Sequence, residues 1–279
     1  MGRACRIAVV IPARTCPCRQ IVSVLAQLSP EDRLMVVLAS ELADADRCKR
    51  RATCPPLVTW ISAGSSVGAG GARNLGAKAL RGTAKVLLFC DADDHIAPTW
   101  LTELARPLLN SSADLVGGVL RVQRRSGAST VILPTVDYWH SQALFGANMG
   151  ITYEAWRELG GFDESLTCCE DTDLAWRASD LGLKIQVVPD AIVDYNLRLP
   201  IEEFRQRFRW GRSSVQLLRK HTVQLDHLPG LRTLFFDKRE TGFAASPLIA
   251  ALAQFAGQWI ESYRSSGLGR KPAEPSEQR

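Results

Sequence analysis

The chain has 279 residues, of which 46% are apolar and 23% are charged, and its formal net charge at pH 7 is +5. This length can bury the core of one large domain, with or without an appendage. The mild positive charge is spread along the chain. Because nucleic-acid binding needs a denser basic patch interleaved with aromatic residues, we expect no nucleic-acid partner.

The start of the chain and its cysteines indicate the compartment. The apolar run that ends at Pro12 is too short for the core of a secretory signal peptide. We therefore expect a cytoplasmic protein whose eight cysteines stay reduced. Neither Cys16-Pro17-Cys18 nor Cys168-Cys169 has the spacing of a zinc site, so a structural metal cluster is not expected.

The first half of the chain alternates apolar, β-branched runs with helical patterns. We predict strands at 6–11, 33–39, 57–61 and 85–90. We predict helices at 17–28, 71–82 and 99–109. Because the strand runs are continuously apolar, the pattern predicts an α/β fold with a buried, mostly parallel sheet flanked by helices.

The second half has a different order of elements. We predict a hairpin at 114–123 and 129–134, a strand at 146–152, helices at 153–159 and 171–181, a strand at 185–189, and a long helix at 201–221. The uncharged, Ala-rich segment 243–260 contains Pro247 and falls short of the about 20 strongly apolar residues that a membrane span needs. We expect it to form a packed or interfacial helix.

Three carboxylates directly follow the strand at 85–90. Asp91, Asp93 and Asp94 lie at its carboxyl end, the edge at which open α/β sheets bind ligands. Side chains two positions apart in an extended segment point the same way, so Asp91 and Asp93 can converge on one cation that prefers oxygen ligands. The alternative interpretation is that these acids favour the start of the next helix.

Several motifs in this order resemble the family 2 glycosyltransferases, which are nucleotide-sugar enzymes of the GT-A fold. The matching segments are IPAR (11–14), GAGGARNLGAKAL (68–80), LLFCDADDHIAP (87–98), GGFDE (160–164), EDTDLAWRASDLG (170–182) and QRFRW (206–210). The resemblance implies a Rossmann-like, mixed and mostly parallel sheet flanked by helices, with a helical C-terminal extension. It also implies metal-dependent, inverting transfer of a sugar to an acceptor hydroxyl.

The resemblance assigns a role to each acid. Asp93 would ligate a Mn²⁺ or Mg²⁺ ion that bridges the donor diphosphate, and Asp91 would contact the metal or the ribose. Asp171, beside Glu170, would be the general base that deprotonates the acceptor. Since both residues start a predicted helix, simple charging of the helix N-terminus is the alternative.

Other residues would bind the donor or the substrate. Those expected near the nucleotide are Pro12, Arg14, Arg73 and Asn74. The helix at 201–221 carries an apolar stripe of Ile201, Phe204, Phe208, Val215 and Leu218. Gln206, Arg209 and Trp210 lie away from this stripe. A guanidinium suits phosphate oxygens and an indole can stack on a sugar, so we expect Arg209 to contact the diphosphate and Trp210 the acceptor. We also expect Gln206 and Asn148 to contact substrate.

The nucleotide and the exact activity stay open. The chain lacks the acidic turn that commonly follows the second strand in the family and helps to recognise the base, which leaves the nucleotide open. A UDP-sugar is the first expectation, with GDP- and dTDP-sugars as alternatives. A sugar-phosphate nucleotidyltransferase and a non-catalytic nucleotide-sugar-binding subunit are the alternative functions. The first would need a long, basic, glycine-rich loop after the first strand, where this chain has IPARTCPC.

We predict three regions along the chain. Residues 1–222 form the GT-A domain, residues 223–263 form a helical extension that packs on this domain or on a membrane surface, and residues 264–279 form a disordered tail. If the extension packs on a membrane, we expect it to contact the inner face peripherally.

Overall fold

A computed structural model of the chain describes residues 5–39, 57–80, 82–123, 129–132, 134, 141–196, 200–222, 256–258 and 260–261. The chain divides into two compact units, residues 1–198 and 199–279. The long helix therefore groups with the second unit, whereas the sequence placed it at the end of the first domain. The three regions proposed from the sequence stay a prediction.

The first unit is built on one mixed sheet of nine described strands. They are β1 (Cys5–Ala13), β2 (Arg33–Leu38), β3 (Val58–Ser62), β4 (Ala84–Cys90), β5 (His95–Ile96), β6 (Leu115–Gln123), β7 (Ser129–Ile132), β8 (Asn148–Thr152) and β9 (Ile185–Tyr195). Their order is β3-β2-β1-β4-β8-β6-β9-β5, and β7 pairs with β6. The pairs within β3-β2-β1-β4 and the pair β6–β9 are parallel, and the other pairs are antiparallel.

Five helices accompany this sheet among the described residues. They are α1 (Cys18–Leu25), α2 (Ala69–Ala79), α3 (Trp100–Leu109), α4 (Tyr153–Glu158) and α5 (Glu170–Asp180). Alternate residues of β1 enter two different apolar layers: Ile7 and Val9 join one cluster, and Ala8 and Val10 join the other. The sheet is thus buried on both faces, which explains the continuously apolar strand runs.

The predicted hairpin and the strands of the first half are confirmed, with boundaries that differ by a few residues. β9 runs to Tyr195, six residues beyond the predicted end at Pro189. Gly117 of β6 pairs with Val187 and Val119 pairs with Ile192, so residues 188–191 of β9, which include Pro189, bulge opposite Gly118. Such a bulge accommodates a residue that lacks a backbone N–H, so proline does not end the strand here.

The second unit contains α6 (Pro200–Lys220). Arg212 Nε and Gln216 Nε2 both donate to the carboxylate of Glu261, at 3.0 and 3.1 Å. The predicted apolar stripe of α6 is buried at Val215 and Leu218, and its first turns are exposed. Most of the segment 243–260 lies outside the described residues. Within the described part of the chain, no helix has both the length and the apolar character needed to cross a membrane.

Candidate active site

The three acids after β4 form one group. Each of Asp91, Asp93 and Asp94 offers a carboxylate oxygen, and these oxygens lie within 4.8 Å of one another. Asn196, which follows β9, fixes this loop: its backbone N–H donates to Asp94 Oδ1 at 3.0 Å, and its side-chain amide donates to the carbonyl of Asp93. An all-oxygen set of this kind fits a hard divalent cation such as Mg²⁺ or Mn²⁺.

A buried guanidinium joins this group to the acids at the start of α5. Arg73 lies on α2 and is 2% exposed. Its Nη2 donates to Asp91 Oδ1 at 2.8 Å, and its Nη1 donates to Glu170 Oε1 at 2.7 Å. The ring of Phe162 lies against the same guanidinium, with its centroid 5.5 Å from Cζ. Arg73 therefore connects the first acid of the Asp-x-Asp motif to the Glu-Asp pair, a connection that the sequence did not indicate.

The charges of this cluster depend on one another. Burial lowers the pKa of Arg73, but Asp91, Glu170 and Asp171 together outweigh burial and raise it above its ordinary value. Burial, and then the neighbouring Asp171, raise the pKa of Glu170 to about 7, against the opposing effect of Arg73. The cluster thus contains a carboxyl group that can change its protonation near neutral pH.

Asp171 is held by backbone donors from two elements. Its Oδ2 accepts from the N–H of Gly146 at 2.7 Å, and its Oδ1 accepts from the N–H of Thr172 at 2.8 Å. Burial raises the pKa of Asp171, while these two N–H groups and Arg73 lower it. A carboxylate that is oriented in this way and has a raised proton affinity is suited to accept a proton.

Glycines make room for the cluster. A Cβ atom on Gly70 would lie 3.1 Å from Cγ of Glu170, and one on Gly146 would lie 2.9 Å from both Nη atoms of Arg73. The glycine run at the start of α2 therefore lets the helix approach the Glu-Asp pair closely. The role of Gly146 was missed, because its only signal in the sequence is a glycine shortly before a strand.

Asn74 and Asn148 have structural roles. Asn74 Nδ2 donates to the carbonyl of Phe162 at 2.8 Å, and its Oδ1 accepts from the Phe162 N–H at 2.9 Å, which anchors the GGFDE segment. Asn148 is fully buried; its amide accepts from Trp100 Nε1 at 2.8 Å and donates to the carbonyls of Val119 and Ala191, both at 2.9 Å. All the hydrogen-bonding groups of this amide are used in the core. The structure therefore gives Asn148 a role in the core, and its expected contact with substrate stays a prediction.

The expected nucleotide residues of the first loop lie next to the acidic group. Val10 of β1 is paired with Phe89 of β4, so Pro12 and Asp91 each follow two residues later on adjacent parallel strands. Pro12 is half-buried, and Arg14, just beyond the end of β1, is exposed. Their position agrees with a ligand at the carboxyl edge of the sheet, and their contacts with a nucleotide stay a prediction.

The QxxRW residues lie on α6, in the second unit. Gln206 and Trp210 are half-buried and Arg209 is exposed. The Cζ atom of Arg207 lies 5.0 Å from the ring centroid of Trp210, so this indole already has a cationic neighbour. The expected contacts of Gln206, Arg209 and Trp210 with acceptor and diphosphate stay predictions.

Comparison with known proteins identifies relatives of this chain. Two family models match it: "Glycosyl transferase family group 2" over residues 86–259 and "Glycosyl transferase family 2" over residues 19–152. A stretch of 94 residues is 33% identical to the pre-mycofactocin glycosyltransferase of Mycobacterium tuberculosis, covering 32% of this chain. The match spans only 19% of the length of that relative.

Three solved structures illustrate the architecture that this chain shares with known proteins. A mannosyltransferase, PcManGT from Pyrobaculum calidifontis, has a TM-score of 0.62 at 18% identity, over 94% of this chain and 74% of that one. TarS 1–349 of S. aureus has a TM-score of 0.56 at 14% identity, over 96% and 75% of the two chains. GalNAc-T7 has a TM-score of 0.59 at 15% identity, over 79% and 55%. With its sheet in the GT-A arrangement and a family model matching from β4 into its C-terminal part, the chain belongs to the glycosyl transferase family group 2.

Proposed function

We propose that this chain is a metal-dependent, inverting glycosyltransferase that moves a sugar from a nucleotide-diphosphate sugar to an acceptor hydroxyl, with Asp171 as the general base. One observation carries this proposal. The guanidinium of Arg73 donates to Asp91 at 2.8 Å and to Glu170 at 2.7 Å, so the metal-binding acids and the Glu-Asp pair lie on either side of a single side chain. This proximity supports one site in which both groups act on the same reactant.

The acids after β4 are the residues that would hold the cation. Asp93 is exposed, and Asp91 uses Oδ1 for Arg73, which leaves its second oxygen to face a metal. When bound, a divalent cation would offset the negative charge of the departing diphosphate. PcManGT was solved with GDP-Man and Mn²⁺, and GalNAc-T7 with UDP, GalNAc and Mn²⁺, which favours a nucleotide-sugar donor here. A UDP-sugar remains the first expectation, with GDP- and dTDP-sugars as alternatives.

The residues of the chain itself supply the proton acceptor. The N–H groups of Gly146 and Thr172 hold the carboxylate of Asp171. Its Oδ1 also accepts from the Thr172 hydroxyl at 3.5 Å, so Oδ2 is the oxygen that keeps a second lone pair for an acceptor hydroxyl. Asp171 takes the hydroxyl proton as the hydroxyl oxygen forms the new bond to the sugar and the bond to the diphosphate breaks. Such a single displacement inverts the configuration at the sugar carbon.

Arg73 acts as a positioning residue in this scheme. It lowers the pKa of both Glu170 and Asp171, so it favours the ionised form that a base needs. It also fixes one oxygen of Asp91 by a hydrogen bond of 2.8 Å. The guanidinium is buried, and the nucleotide contact expected for Arg73 stays a prediction.

The family match favours sugar transfer over nucleotidyl transfer. The functions that remain are a metal-dependent glycosyltransferase and a non-catalytic nucleotide-sugar-binding subunit, and a test of donor binding is the first step in separating them. We would titrate UDP, GDP and dTDP into the full chain by calorimetry, with and without Mn²⁺. We expect one diphosphate to bind in a Mn²⁺-dependent manner. Asp93→Asn should remove the Mn²⁺-dependent part of the diphosphate binding, because the substitution takes one charged oxygen ligand from the acidic group after β4.

The control is Asp190→Asn, which makes the same chemical change at an exposed position of β9 outside the acidic group. This variant should bind like the wild type. Failure of all three diphosphates to bind with Mn²⁺, or wild-type binding by Asp93→Asn, would contradict the proposal. Binding without any sugar turnover would instead indicate a non-catalytic subunit.

A further inference from the structure

A pocket of about 460 Å³ lies beside the acidic group, and two cysteines line it. Asp93 and Asp94 contribute to its wall, as do Arg19 and the short segment Cys16-Pro17-Cys18, which connects β1 to α1. The scheme for sugar transfer uses neither of these thiols. Their presence in this wall therefore calls for a separate chemical explanation.

The two sulfur atoms face each other. Cys16 Sγ and Cys18 Sγ are 2.6 Å apart, and neither residue is in a disulfide. An S–S bond is about 2.05 Å long, so a small movement would bring the atoms to bonding distance. Cys18 is exposed and Cys16 is half-buried, so a reagent in solution can reach Cys18 first and leave Cys16 as the second, internal thiol.

The charged residues nearest the two cysteines along the chain are cationic, whereas the rest of the pocket wall holds Asp93, Asp94 and an Arg121–Asp194 ion pair. Cys18 is the first residue of α1, a helix with no acidic residue in its first turn. The amino end of a helix attracts negative charge, and Arg14 and Arg19 are exposed on either side of the cysteines. Pro17, with φ of −85°, restricts the backbone between the two thiols, so little freedom is lost when they join.

We propose that Cys16 and Cys18 form a redox-active dithiol that exchanges with a low-molecular-weight disulfide of an anionic thiol, closing a reversible disulfide across Pro17. The Cys18 sulfur attacks the small disulfide, forms a mixed disulfide and releases one thiol. The Cys16 sulfur then attacks Cys18 Sγ, closes the internal disulfide and releases the second thiol. Two electrons pass from the cysteines to the reagent, and the two protons of the cysteine thiols end on the released thiols.

This site is independent of the proposed sugar transfer, because the exchange needs no metal and no nucleotide. Closure would tie the loop that carries Arg14 to the start of α1, in the wall that also contains Asp93. The modification would therefore act on the same side of the sheet as the candidate metal group.

Peptide mapping tests the proposal directly, because trypsin cleaves after Arg14 and Arg19. The peptide Thr15-Cys16-Pro17-Cys18-Arg19 carries both cysteines and no other. We would incubate the folded full chain with glutathione disulfide, quench with acid, alkylate and digest. We expect this peptide to be two hydrogen atoms lighter, unalkylated and free of glutathione, and to regain two alkylation sites after treatment with dithiothreitol.

Two comparisons show whether the folded geometry is responsible for closure of the disulfide between Cys16 and Cys18. In Cys16→Ser the peptide should instead retain one glutathione on Cys18, since no second thiol can release it. In the urea-unfolded chain the internal disulfide should form about tenfold more slowly, because the sulfur atoms are no longer held together. The Cys168–Cys169 pair is an internal reference: burial raises the pKa of Cys169 well above its ordinary value, so we expect slower reaction there.

Three results would overturn the proposal. The first is a wild-type peptide that stays fully alkylatable after the other accessible thiols have reacted. The second is a stable glutathione adduct on Cys18 in both the wild type and Cys16→Ser. The third is an equal rate of closure in the folded and the unfolded chain. None of these results depends on whether the chain transfers a sugar.

Discussion

Arg73 is a cation inside the protein whose two carboxylate partners come from distant parts of the chain. Burying a guanidinium is costly unless charged hydrogen bonds replace its water. Asp91 and Glu170 supply two such bonds, and Phe162 covers the planar group. Because removing the guanidinium leaves the buried Glu170 and the part-buried Asp91 without their shared cation, this residue should matter for stability as well as for chemistry.

Arg73→Met should destabilise the protein by about 3–5 kcal/mol, since it leaves Glu170 and Asp91 near each other without their shared cation. Urea unfolding followed by circular dichroism measures this change. Arg106→Met is the matched control, because the Arg106–Glu103 ion pair is on the surface and should be worth less than about 1 kcal/mol. Equal urea midpoints for the two variants would show that the buried bridge does not stabilise the fold.

Glu170 should make stability depend on pH. Its pKa is raised from the ordinary 4.5 to about 7, mainly by burial, so the fold favours the protonated form. The contribution of protonated Glu170 to the free energy of unfolding is fully present below about pH 4.5, and it is lost as the pH rises through about 7. Relative to Glu170→Gln, the wild type should therefore lose about 1–3 kcal/mol between about pH 5 and about pH 8.

Unfolding of both proteins in urea at these two pH values measures the difference. Glu154→Gln, at an exposed position of α4, is the control and should track the wild type at both values. The result that contradicts this prediction is a difference in unfolding free energy between the wild type and Glu170→Gln that stays constant with pH. A difference that grows in favour of the wild type as the pH rises would contradict it as well.

At the scale of elements, the close packing of α2 on β1 brings Arg73 to the site. A Cβ atom on Gly76 would lie 2.4 Å from Val10 Cγ1 and 3.2 Å from Val37 Cγ2. Both valines point from the central strands into the layer that α2 covers. Gly76 therefore sets the distance between helix and sheet, and with it the depth at which Arg73 lies.

Gly76→Ala should cost about 1–3 kcal/mol through overpacking, although alanine has the better helix propensity. Gly68→Ala is the matched control at the start of the same helix: its φ is −74°, and a Cβ atom there would meet nothing within 4 Å. Thermal unfolding measures this difference, and we expect a lower midpoint for Gly76→Ala than for Gly68→Ala. If both keep the wild-type midpoint, α2 has room to move and Gly76 is not limiting.

The elements that could be predicted from the sequence are those with a strong local signal. The strands of the first half are continuously apolar and buried on both faces, so their pattern alone identifies them. β5 has only two residues and is too short for any periodicity. The far end of β9 was missed because a proline such as Pro189 normally ends a strand, and only the bulge that contains it shows why it does not.

The candidate site could be predicted as a set of residues but not as an arrangement. Asp91, Asp93 and Asp171 are recognisable from their neighbours in the sequence. That Arg73 links two of the motifs, and that Gly146 orients Asp171, depends on contacts between segments far apart in the chain. The hydrogen bonds that Asn148 makes in the core likewise depend on contacts between separate segments, and its sequence neighbours do not reveal them.

At the scale of the whole molecule, the candidate metal group and the candidate base belong to the first unit, and the QxxRW residues belong to the second. The central claim concerns the first unit: a cation on the acids after β4 and a base at Asp171 act on one donor sugar. Both groups can be tested with water as the acceptor, because slow hydrolysis of a nucleotide sugar needs the same leaving group and a base for the incoming oxygen.

The most direct measurement is the Mn²⁺-dependent release of nucleoside diphosphate from a panel of UDP-, GDP- and dTDP-sugars, with diphosphate affinity measured on the same samples. Asp171→Asn should keep the wild-type affinity and lose turnover by about 10²–10⁴-fold, as expected for removal of a general base. Asp93→Asn should lose both affinity and turnover. Wild-type turnover in Asp171→Asn, with the diphosphate still bound through Mn²⁺, would contradict the claim.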